Sequence, residues 1–92
     1  MSEYIEIETE ASADGKEIFL YTNLRLAEGA VEQYDSRDSM EHGSSVAQAL
    51  SMIDGIASLR IEGSDMVITR VPDIEWYFIV EEVVAALRDF FL

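Results

Sequence analysis

The chain has 92 residues, which is enough for one core burying roughly 60–65% of the unfolded surface and too few for two, so residues 1–92 are expected to form a single domain. Hydrophobic residues at 49% and aromatics at 10% separate it from disordered chains, and the lack of cysteine excludes disulfides, thiolate metal sites, a cysteine nucleophile and a cysteine-held iron–sulfur cluster. Nineteen acidic residues against six basic ones give a formal charge of −13, which opposes direct binding to nucleic acid or an anionic membrane, because both are held through Lys and Arg.

From Tyr4 to Glu10 the pattern alternates, with Ile5, Ile7 and Thr9 on one side and Tyr4, Glu6, Glu8 and Glu10 on the other, so a half-buried strand is predicted. Asp14-Gly15 favours a turn, and Ile18 to Leu26 resumes a β-rich run, completing a hairpin. Glu28-Gly29 reads as a further turn before a short strand over Val31 to Tyr34, with a helical turn over Leu26 to Tyr34 as the alternative. Asp35 to Gly43 is polar and lacks periodicity, so it is read as a loop.

A short helix follows, with Ser45 and Gln48 matching a capping box and Val46, Ala49, Leu50 and Ile53 forming one apolar stripe. Gly55 suits the left-handed position beyond the helix end. The period then changes to two: Ala57, Leu59 and Ile61 face one way, and Ser58, Arg60 and Glu62 the other. A two-residue turn at Gly63-Ser64 would set Ile61 opposite Met66 and Leu59 opposite Ile68, at the cost of placing Glu62 against Asp65. Pro72-Asp73 ends that strand, and Asp73 can cap a long helix reaching Phe91. At 100° per residue, Trp76, Val80, Val83, Leu87 and Phe90 share its apolar face, while Glu75, Glu81, Glu82, Arg88 and Asp89 lie opposite with Phe78 among them. The expected fold is α+β in two layers, ββ(β)αββα, with a largely antiparallel sheet and two helices on one face.

Chemistry-bearing patterns are sparse. The five glycines form no phosphate-binding loop, and an anion at the amides after Gly43-Ser44-Ser45 would compete with the cap. The lone histidine, His42, stands three residues from Ser45 and offers a weak nucleophile–base pair. Asp35, Asp38, Glu41 and His42 match neither a calcium loop nor a zinc motif, and Glu81-Glu82 is one carboxylate pair among many. No catalytic, metal-ligating or cofactor-binding residue is therefore assigned, and no enzyme is expected. Trp76 continues the apolar stripe and reads as core. Phe78 either packs under the N-terminal strand or the 35–43 loop, or serves as an exposed anchor in a partner or homodimer interface. Met1-Ser2-Glu3-Tyr4 is no signal core, and Glu81-Glu82 splits the longest apolar runs, so a cytoplasmic protein is expected.

The ordered set of signals resembles the amino-terminal domain of the NifU/Nfu proteins of iron–sulfur cluster assembly. The residues that carry the resemblance are Ser45 to Gly55 with Ile56 and Ser58-Leu59, then Asp65-Met66-Val67 and Glu75-Trp76, together with Thr9-Glu10, Ser12, Asp14, Ile18 and Leu20. It departs at the first turn, where Ala11, Ala13 and Gly15 replace the family's prolines, and in having none of the Cys-x-x-Cys of the family's separate cluster-holding domain. What it implies is an accessory or protein-interaction role with a partner from the iron–sulfur assembly machinery, the chain itself holding no cofactor and iron association belonging only to the wider family. Phe78, Glu75, Glu82 and Asp89 are the candidate partner-binding residues, with a homodimer as a further arrangement. The alternative function is that of an acidic decoy occupying a nucleic-acid-binding protein.

Overall fold

The computed structural model describes residues 5–27 and 29–91. Five strands form one antiparallel sheet: β1 (Ile7–Ala11), β2 (Glu17–Thr22), β3 (Glu32–Tyr34), β4 (Ile56–Glu62) and β5 (Asp65–Arg70), in the order β1-β2-β5-β4-β3. Three helices accompany them: α1 (Arg37–Glu41), α2 (Ser45–Leu50) and α3 (Trp76–Phe91). The α+β reading and its strand order along the chain hold. The predicted Tyr4 start and the Glu28 part of the second turn lie outside the described residues.

The period-two pattern sets the sheet's inner face. Leu20, Met66 and Ile61 stand in one row across β2, β5 and β4, and Ile18, Ile68 and Leu59 in the next. All six are buried, together with Val46, Ala47 and Leu50 of α2 and Ile79, Val83 and Leu87 of α3. The helices therefore cover one face, and burying these side chains supplies about 1.5–3 kcal/mol for each large one. The β4–β5 turn is the predicted one, with Glu62 paired to Asp65 across Gly63-Ser64 at φ +62° for the glycine. A register shift between Ile56 and Ser58 turns Ile56 inward as well, so it is buried next to the inward Leu59 and Ile61 set.

Four expectations are corrected. The 35–43 segment is no loop: Ser36 caps α1, its Oγ accepting from the Ser39 N–H while the Ser39 Oγ accepts from the Ser36 N–H. Met40 alone anchors this short helix in the core. The cap of α2 is Ser44, not Ser45, and its Oγ accepts from the Ala47 N–H; Gln48 instead donates to the Gly43 carbonyl. That helix stops at Leu50, so Ile53 reaches the core from the following turn. The third concerns α3, which begins at Trp76, leaving Asp73 in the preceding turn and not at its N-cap. The fourth is its buried face, which centres on Ile79, Val83 and Leu87; at the last turn Phe91 packs inward, whereas Phe90 is exposed and meets Phe91 edge-on.

Candidate partner-docking site

Two linkers leave the same end of the sheet. One is the turn over residues 51–54 between α2 and β4, and the other is residues 71–75 between β5 and α3. Gly55 lets them approach: it holds φ +100°, and a Cβ there would lie 2.8 Å from Ile74 Cγ2 and 3.1 Å from Ile79 Cγ1. The Val71 N–H donates to the Gly55 carbonyl at 2.7 Å, closing the pair. Between them and the first two turns of α3 lies an open groove of about 320 Å³.

Its lining combines four apolar side chains, Met52, Ile53, Ile74 and Phe78, with four acidic ones, Asp54, Asp73, Glu75 and Glu82. Phe78 is 60% exposed and Met52 85%. Phe78 stands directly before the inward Ile79, so the helix turn that buries one side chain projects the other outward. The Tyr77 ring, 71% exposed, meets Phe78 edge-on with centroids 5.5 Å apart. Of the lining carboxylates, Asp54 is paired: Arg37 of α1 reaches across so that Nη2 donates to Asp54 Oδ1 at 2.9 Å and to the Ile53 carbonyl at 3.0 Å. Asp73, Glu75 and Glu82 are exposed and make no ion pair among the described residues.

Three of the four candidates read from the sequence thus meet, Phe78, Glu75 and Glu82. Asp89 does not: it lies eleven residues beyond Phe78, roughly 16 Å along the helix. Phe78 is exposed and is not packed under the N-terminal strand or the 35–43 segment. Met52, Asp54, Ile74 and Tyr77 were missed. Met52 had a signal, since it falls off the Val46–Leu50–Ile53 stripe, and Tyr77 stands beside an aromatic already on the wrong face; Asp54 needed the loop path.

The other candidates disperse. His42 donates from Nδ1 to the Asp38 carbonyl at 2.9 Å, and that bond, with the charges of Asp38 and Glu41, raises its pKa above the ordinary 6.5. It is engaged with its own helix rather than with Ser45. Trp76 is half-buried against the core, yet its Nε1 donates to the Gly15 carbonyl at 2.8 Å, and the Arg70 guanidinium lies 5.2 Å from the centre of its ring. The β1–β2 turn that lacks prolines is held by side chains instead. Asp14 Oδ1 accepts from the Lys16 N–H and from Ser12 Oγ, contacts that hold the Asp14 pKa below 3.8.

No family model matches the sequence, and no curated protein matches it either. Solved structures do. The solution structure of a NifU-like protein from Saccharomyces cerevisiae superposes with a TM-score of 0.75 at 18% identity, over 95% of this chain and 80% of that one. The fold is that of a NifU-like protein. The crystal structure of protein SAV1430 from Staphylococcus aureus superposes with a TM-score of 0.72 at 13% identity, over 89% of this chain and 98% of that one. The sequence has no cysteine, and among the described residues no group of three or more His, Asp or Glu side chains is placed to hold a metal ion. Among the described residues no helix is long and apolar enough to cross a membrane.

Proposed function

We propose that this chain is a cytoplasmic, non-enzymatic interaction module of iron–sulfur cluster assembly that docks a protein partner in the groove beside Phe78. The observation that carries the reading is an exposed aromatic pair and a bare methionine around a carboxylate-lined groove. Aromatic and Met side chains concentrate binding energy at interfaces, and exposing them to water without such use is unfavourable. The link to cluster assembly is supported by the sequence resemblance and by the shared NifU-like fold. Cargo would be handled by the partner, since this chain lacks thiolates.

The test is affinity capture with mass spectrometry using the wild-type chain, Phe78→Ala and the double variant Glu75→Lys/Glu82→Lys. Cluster-assembly proteins are expected with the wild type and are expected to be depleted with both variants. The same proteins in all three captures, or none of that class in any, would overturn the reading. Displacement of the captured partner by duplex DNA would favour the decoy alternative.

A further inference from the structure

We infer that the groove receives a short basic amphipathic segment of the partner, one whose bulky apolar side chain enters over Phe78 while its Arg and Lys residues meet Asp73, Glu75 and Glu82. The inference rests on the docking role proposed above but not on the pathway to which the partner belongs. Charge selects this occupant. Four carboxylates line the groove and one arginine, Arg37, pairs with one of them, which leaves three without an ion pair among the described residues, beside four apolar side chains. A second copy of the chain would set the same three charges against their like, so a symmetric pairing through this face opposes itself.

Arg37 also displays the recognition chemistry. Its guanidinium has one nitrogen bonded at once to a carboxylate and to a main-chain carbonyl. An incoming arginine finds carboxylates on both sides of Phe78 in sequence, Glu75 just before α3 and Glu82 one turn beyond it. Size agrees with a segment: a groove of about 320 Å³ takes one or two large side chains and stands at the low end of the range for small-molecule sites.

The test uses the full chain and three synthetic helical peptides. The first carries leucines at i, i+3, i+4 and i+7 with arginine and lysine elsewhere; the second replaces its basic residues by glutamate, and the third its leucines by alanine. Amide NMR spectra should show the first peptide shifting Met52, Ile74 and Phe78, and calorimetry should show weakening as salt is raised. Phe78→Ala should weaken it about tenfold, and Glu75→Lys/Glu82→Lys should weaken it further, each variant keeping the wild-type dispersion of unaffected amides. The glutamate and alanine peptides should not bind. Binding that ignores both substitutions, shifts confined to the open sheet face around Phe19 and Val67, or no binding of the basic peptide would each overturn the inference. Failure of the basic peptide to bind, while Phe78→Ala still depletes the captured cluster-assembly proteins, would sink this inference and leave the proposed function standing; groove binding by the peptide without such capture would do the reverse.

Discussion

At Gly55 the backbone holds φ +100° and the two neighbouring isoleucines leave no room for a Cβ, so strain and overlap act together. Gly55→Ala is expected to destabilise the fold by about 2 kcal/mol, read from urea unfolding. Gly63 is a useful contrast, with φ +62° and no neighbour within 4 Å of the added atom; Gly63→Asn should be close to neutral, because asparagine tolerates the left-handed region. Asp14 gives a pH signature. Its folded pKa is depressed, so the stabilisation it provides is complete above 3.8 and fades as pH falls through the lower folded value. The stability difference between wild type and Asp14→Ala should therefore be flat above the ordinary carboxylate range and shrink below it, as measured by denaturant unfolding across acid pH. His42 has the opposite sign. Its raised pKa makes its contribution complete below 6.5 and lost as pH rises past the folded value, which a proton NMR titration of its ring can follow.

At the scale of elements, α3 is fastened at its first turn by the Trp76 Nε1 bond to Gly15, a contact joining residues 61 apart in sequence. Trp76→Phe keeps most of the apolar surface and removes the donor, leaving the Gly15 carbonyl without it. A loss of about 1 kcal/mol is expected from chemical denaturation. This scale also divides what the residues disclose from what they conceal. The β4–β5 hairpin was legible because alternation and a glycine turn point to one register, and Leu59 opposite Ile68 follows from counting alone. Helix α1 was not, since five residues hold a single buried side chain, Met40, and its capping box uses serine at both ends where the usual pattern has Glu or Gln at the third position. The α3 face was read one notch off because Phe90 looks apolar enough to belong inside, whereas Ile79, Val83 and Leu87 are the side chains turned fully inward and Phe91 takes the inward place at the last turn. Phe78 could be flagged from the helical wheel, but its groove could not, since Met52, Asp54 and Ile74 come from two linkers brought together only by the chain path at Gly55.

Over the whole molecule, the layout is asymmetric: helices cover one side of the sheet, and the other side carries Phe19 and Val67 half-buried beside Arg60, with Glu10 and Gln33 completing the same row. The two edge strands limit further pairing. β3 has three residues, and β1 presents Glu8 and Glu10 to solvent, features that discourage strand addition. A formal charge of −13 spread over so small a body should make the fold more stable as salt is raised, because screening relieves self-repulsion. Partner affinity should move the other way. Thermal melts and binding isotherms across the same salt series provide the check, and parallel trends would contradict an electrostatic groove.

Trp76 is the only tryptophan of the chain, and it sits where the hairpin turn, the Arg70 guanidinium and the opening of α3 converge, two residues from Phe78. Its emission is therefore an intrinsic optical probe of the hairpin–helix junction, so loss of that junction on unfolding can be followed on unlabelled material in a cuvette.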